Sequence, residues 1–117
     1  MDRQVSRGDV WTAAGGTDYA GKPRPVVVLQ DDRFEETASI TVCPLTTNPA
    51  DVPLFRPSVS PSDGNGLKSP CRLMVDKITT MPRAKLGIRI GRLDAPDIAM
   101  LDRAVVVFLG LAGTSSR

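Results

Sequence analysis

The chain has 117 residues, 41% hydrophobic and 24% charged, with 15 basic against 13 acidic side chains, the balance of one small soluble globular domain over residues 1–117. It contains no histidine, which removes the commonest general base near neutral pH, every His-containing zinc site and every Ser-His or Cys-His nucleophile pair. Any catalysis must therefore run on carboxylates, hydroxyls, lysine or arginine.

Val10 to Ala13 reads as a first strand. A turn-rich connection, residues 14–23, leads into Pro25-Val26-Val27-Val28-Leu29-Gln30, an almost continuous apolar run expected to be a buried central strand. Ala38 to Leu45 alternates, with Ile40 and Val42 on one face and Thr41 and Cys43 on the other, and Pro44 points to a bulge or an edge position. Val52 to Val59 carries two prolines and is at best an edge strand. Residues 60–66, Ser-Pro-Ser-Asp-Gly-Asn-Gly, form the strongest turn signal, and Cys71 to Asp76 followed by Ile78 to Thr80 reads as a further strand with a bend.

The period then changes. Asp94 is a good N-cap, Pro96 sits in the first turn, and Asp97 places negative charge beside the positive helix end. Ile98, Leu101, Val105, Phe108 and Ala112 recur at helical spacing, so this helix should lay one face on the sheet, ending at Gly113. Val106, Val107 and Leu109 make its second half apolar nearly all round. The longest apolar run, Ala104 to Ala112, is far short of a membrane-spanning helix. Two cysteines, Cys43 and Cys71, are too few for a disulfide scaffold or a four-cysteine zinc site, so a reduced, cytoplasmic setting is expected.

Charge is distributed unevenly: seven bases lie between Lys68 and Arg92 against one acid, Asp76. That stretch is either a polyanion-binding surface or a solvated basic face. Arg24, between Pro23 and Pro25, starts from a stiff backbone, and its planar five-donor fork suits a phosphodiester; the competing reading is an ion pair with Asp18 or Asp31. Thr46 and Thr47 end a strand where hydroxyls can meet a ligand oxygen or cap a turn. Asp76, among cations, should ionise readily, either pairing with Lys77 or Arg72 or accepting a proton. Arg7-Gly8-Asp9 reads as a turn into a strand, with Trp11 as an anchor.

Taken in order, Arg7-Gly8-Asp9-Val10-Trp11, then Gly21-Lys22-Pro23-Arg24-Pro25-Val26-Val27-Val28-Leu29, then Val42-Cys43-Pro44-Leu45-Thr46-Thr47, then Val75-Asp76-Lys77-Ile78-Thr79-Thr80 resembles the MazF/PemK (Kid) toxin family over nearly the whole chain. The resemblance implies a mainly β fold, an SH3-like barrel with a C-terminal helix. It further implies a homodimer and a sequence-specific, metal-independent endoribonuclease that needs no cofactor, cuts single-stranded RNA and is paired with a MazE-like antitoxin. Carried over by position, Arg24, Thr46 and Asp76 form the catalytic set. Asp18, Tyr19, Lys22, Thr47, Arg72, Lys77 and Arg83 are the candidates for RNA binding.

The sequence departs from the PemK pattern in lacking a first-loop histidine and in carrying Met74 two residues before the acid, where the family has arginine. Arg72, expected on the same strand face as Met74 and Asp76, is the candidate substitute. Two other readings compete with the nuclease: a CcdB-like gyrase poison on the same fold, and an RNA-binding barrel without activity.

Overall fold

The computed structural model describes residues 4–14, 22–48, 56–111 and 113. The strands are β1 (Asp9–Ala13), β2 (Arg24–Val28), β3 (Ser39–Thr46), β4 (Ser58–Val59), β5 (Cys71–Leu73), β6 (Thr79–Pro82) and β7 (Leu86–Arg92), followed by one helix, α1 (Ala95–Phe108). They form a curled antiparallel sheet in the order β4-β5-β3-β2-β1-β7, with β6 also on β3. Among the described residues no helix is long and apolar enough to cross a membrane.

β3 is the hinge of this sheet. One of its edges runs along β2, through Val28 opposite Val42 and Val26 opposite Pro44. Its other edge changes partner: β6 pairs with Ser39 to Val42, and β5 takes over at Leu45 and Thr46. Pro44, expected at a bulge or an edge position, pairs with Val26 of β2 on one side and on the other falls where β3 changes partner. A missing N–H is tolerated there because it falls in the gap where β6 has ended and β5 has not begun. The Pro44 carbonyl is still used, accepting from Met74 N–H at 2.9 Å.

Alternation along β3 separates two apolar clusters. Cys43 and Leu45 join Val10, Val27, Leu73, Val75, Leu93, Leu101 and Ala104, while Ile40 and Val42 join Trp11, Ala13, Val26, Val28 and Leu86 on the opposite face. α1 closes the first cluster with Leu101 and Ala104 fully buried and Ile98 and Val105 partly so. Burying a leucine such as Leu101 contributes about 1.5–3 kcal/mol. Its N-cap is Asp94, whose carboxylate accepts from Asp97 N–H at 2.9 Å.

The helix stops earlier than its apolar pattern implies. Gly110 adopts φ +75°, its N–H donates to Val107 O, and Leu111 N–H donates to Val106 O, which together make a Schellman cap. Phe108, expected on the inward face, is 46% exposed; Ala112 lies outside the described residues.

One further expectation is corrected, and one strand was not anticipated from sequence. The strand drawn from Cys71 to Asp76 ends at Leu73 and gives way to a single 3₁₀ turn, Val75–Lys77, before β6. β7 carries no strong strand signal, since Leu-Gly-Ile-Arg-Ile-Gly-Arg has two glycines and two arginines among its seven residues. Gly91 is required by contact, since a Cβ there would lie 2.4 Å from the Asn65 backbone, while one on Gly87 would displace the Thr12 hydroxyl, 2.4 Å away.

Candidate nucleic-acid interface

One row of residues crosses the sheet at the end where β2 begins and β3 finishes. Ala13 of β1 stands opposite Arg24, Thr46 of β3 opposite Arg72 of β5, and Arg72 opposite Ser58 of β4. The β2–β3 register, Val26 to Pro44, carried two residues further sets Arg24 level with Thr46. Residues level with one another share a face of the sheet, so Arg24, Thr46 and Arg72 project to one side. With strands about 4.8 Å apart, their Cα atoms lie within roughly 10 Å.

Each side chain is held differently. Arg24 is half-buried at the mouth of β2; of the two carboxylates expected to pair with it, Asp18 lies outside the described residues and Asp31 accepts from the backbone and guanidinium of Arg33. Thr46 Oγ1 accepts from Asn48 N–H at 3.1 Å, so the hydroxyl does cap a turn. That bond uses an oxygen lone pair and leaves the hydroxyl proton for a ligand oxygen. Arg72 is exposed and reaches the Arg56 carbonyl through Nη1 at 3.4 Å.

Asp76 pairs with neither of its expected partners. Its two carboxylate oxygens accept from Nε and Nη2 of Arg56, both at 2.8 Å, and the two side chains are each only 11% exposed. The Arg56 fork holds the Asp76 carboxyl below the usual carboxylate range, outweighing the upward push of burial, with a smaller pull from Lys77. Across β3, burial first and the Asp76 charge second push the Cys43 thiol up to about 12, so this buried cysteine is not a nucleophile. Arg72 does not share a face with Met74, because Arg72 is exposed and Met74 buried where β5 ends.

Arg56 is the residue that sequence reasoning missed. One local signal was available: Arg56 precedes Pro57 just as Arg24 precedes Pro25, and a residue before proline is restricted to extended backbone. Pro57 is buried, and its carbonyl accepts from Leu73 N–H at 2.8 Å, which joins this segment to β5.

The remaining candidates divide. Lys22, Thr47 and Lys77 are exposed, Lys22 two residues before Arg24, Thr47 next to Thr46 and Lys77 next to Asp76. Asp18 and Tyr19 lie outside the described residues. Arg83 is not brought to the row: it follows Pro82, which pairs with Ser39 at the far end of β3, roughly 20 Å from Thr46 along an extended strand. Its guanidinium donates to the carbonyls of Thr37 and Phe34 and so holds the β2–β3 connection. Arg89 and Arg92 are likewise occupied, both on the buried carboxylate of Asp9. The basic stretch is therefore not one continuous face. Asp9 also accepts from Ser6 N–H and the Trp11 indole, and Gly8 takes φ +93°, so Arg7-Gly8-Asp9 is the turn into β1.

Residues 6–109 match the family described as PemK-like, MazF-like toxin of type II toxin-antitoxin system. The chain belongs to this family. A probable endoribonuclease MazF of Mycolicibacterium smegmatis is 52% identical over 109 residues, 93% of this chain and all of that protein. Endoribonuclease MazF9 of Mycobacterium tuberculosis is 34% identical, over 92% of this chain and 98% of its own. Among solved structures, M. tuberculosis toxin MazF-mt6 superposes with a TM-score of 0.72 at 28% identity, covering 88% of this chain and 97% of that one. A mycobacterial endoribonuclease in complex with its cognate antitoxin shares the fold, with a TM-score of 0.76 at 23% identity, covering 95% and 100% of the two chains. The curled sheet and C-terminal helix of this toxin are thus the SH3-like MazF barrel that the motif order implied.

Proposed function

We propose that this toxin is a metal-independent endoribonuclease that cuts single-stranded RNA at specific sequences. Two relatives with near full-length coverage carry the name endoribonuclease, which supports the enzyme class. The observation that carries the site assignment is the single row of Arg24, Thr46 and Arg72 on one face at a sheet end.

The chemistry needs little more. The 2′-oxygen of one nucleotide loses its proton and attacks its own 3′-phosphorus, the bond to the 5′-oxygen of the next nucleotide breaks, and that oxygen takes a proton from water, so the products end in a 2′,3′-cyclic phosphate and a 5′-hydroxyl. Arg24 faces the negative charge that grows on the phosphorane, where a fixed guanidinium is worth most. Thr46 donates its hydroxyl proton to a phosphate oxygen and fixes its place. Arg72, Lys77 and Lys22 hold neighbouring phosphates electrostatically.

Proton removal from the 2′-hydroxyl is a poor task for Asp76, whose two oxygens are both engaged and whose acidity is raised. Asp18, which lies between β1 and β2 in the chain and outside the described residues, is the carboxylate we propose for that task instead. The toxin is further read as a cytoplasmic homodimer held in check by a MazE-like antitoxin, a reading supported by the mycobacterial structural neighbour that is bound to its cognate antitoxin.

Purified toxin should cut single-stranded RNA in the presence of EDTA, and Arg24→Ala should lower the rate roughly 100- to 1000-fold. Cleavage by Arg24→Ala at the wild-type rate would remove the assignment. With no imidazole in the chain, the rate should pass smoothly through pH of about 6.5, where a histidine would titrate.

A further inference from the structure

Three segments meet below the proposed phosphate site: the end of β3, the turn after β5, and the residues entering β4. Their backbones are tied by Met74 N–H to Pro44 O at 2.9 Å and Leu73 N–H to Pro57 O at 2.8 Å. Among the described residues, Arg56 bridges the last two segments by both charge and carbonyl. It spends two donors on Asp76, in the 3₁₀ turn, and offers its carbonyl to Arg72 of the row at the sheet end.

Placing two opposite charges where each is 11% exposed costs desolvation that their attraction does little more than offset. Such a pair is weak evidence for stability, so its benefit has to be sought in the geometry it imposes. A two-bond guanidinium fork fixes direction as well as distance, and here it orients the segment whose carbonyl receives Arg72. Among the described residues, the charged and titratable groups around Asp76 are Arg56 from the β4 approach, Lys77 in its own turn and the Cys43 thiol of β3.

We propose that Arg56 is a positioning residue for RNA cleavage: through its fork on Asp76 and its carbonyl on Arg72 it sets the strand ends that receive the phosphate, with Asp76 as its anchor instead of the proton acceptor. This rests on the ribonuclease reading above. Losing the fork lets the turn and Arg72 drift, and a shift of about 1 Å at a reacting centre can cost on the order of 100-fold in rate.

The test compares single-turnover cleavage by Arg56→Gln, Asp76→Asn, the double variant and Arg56→Lys, each from pH 5 to pH 9, with folding followed by circular dichroism. Arg56→Gln and Asp76→Asn should fall equally, on the order of 100-fold. The double variant should be no slower than either single one, because both remove one shared interaction. All should keep the wild-type shape of the pH profile. Arg56→Lys keeps the charge without the fork and should lie between wild type and Arg56→Gln, so it decides the matter if the glutamine variant does not fold.

An Arg56→Gln or Arg56→Lys enzyme at the wild-type rate overturns the proposal. So does an Asp76→Asn loss far deeper than that of Arg56→Gln together with an acid limb that moves to higher pH in Arg56→Gln, the signature of Asp76 as base. If Arg24→Ala retains full activity, the ribonuclease site itself is wrongly placed and the Arg56 result no longer bears on it.

Discussion

Among the described residues, two carboxylates with little exposure are held by arginine, and they sit in different settings. Asp9 is 4% exposed on its side chain, accepts from Ser6 and the Trp11 indole as well as from Arg89 and Arg92, and sits where β1 leaves its turn beside β7. Its arginines are half-exposed, so water screens much of their attraction. Asp76 has, among the described residues, one guanidinium partner, equally enclosed, in the turn that follows β5. The contact at Asp9 ties the first residue of β1 to β7, whose register shifts twice further along. The contact at Asp76, on the reading proposed above, shapes the strand ends that receive RNA.

That contrast can be broken most directly at Asp9. Asp9→Ala should destabilise the fold by about 1–3 kcal/mol, because it removes the acceptor of the Ser6 N–H and the shared partner of two arginines from a buried position. Urea denaturation would show this, and cleavage per folded molecule should be unchanged. An Asp9→Ala protein of wild-type stability that cuts RNA poorly would reverse the roles assigned to the two carboxylates.

A smaller effect separates the two groups of arginines. Arg72→Gln should weaken binding to single-stranded RNA and lower the salt dependence of the binding constant by about 0.7 in log–log slope, the share of one phosphate contact. Arg83→Gln should leave both unchanged, since its guanidinium is committed to the Thr37 and Phe34 carbonyls. Equal losses from the two variants would mean that RNA runs the length of β3.

The smallest effect is in acid. The folded pKa of Asp76 lies below its ordinary value of 3.8, so the native state binds the proton less readily than the unfolded chain. The pair's contribution to stability is therefore fully present above that value and is lost as pH falls through the folded pKa. Asp97 acts in the opposite sense, its pKa raised by burial and by Asp94, so its contribution falls as pH rises through the folded pKa. Thermal melts from pH 5 downward should show a shallower acid decline in Asp76→Asn than in the parent protein; an unchanged decline would place the acid-sensitive contact elsewhere.

Much of the fold was legible because local rules operate over a few residues. The valine run of β2, the alternation in β3, the turn at residues 60–66 and the capped start of α1 each follow from neighbours in sequence. In that turn Asn65 is buried and accepts from Ser62 N–H and Leu67 N–H, all within three residues. β7 was missed because it is stabilised by its partner β1 and by the close approach its glycines allow, neither of which leaves a periodic apolar trace. The helix end was misplaced because apolar residues continue past Gly110, where a positive φ closes the helix whatever follows.

By itself the sequence determined the family, the β-rich plan with a closing helix, the positions of Arg24 and Thr46, and a chemistry without imidazole. Only the tertiary structure decided which charges meet. Arg56 finds Asp76 across 20 residues and Arg92 finds Asp9 across 83, because strand register and the change of partner along β3 set those distances. An ion pair depends on a few ångströms in space, and separation along the chain carries no such measure. The sequence shows how many charges there are; the ladder determines which of them meet.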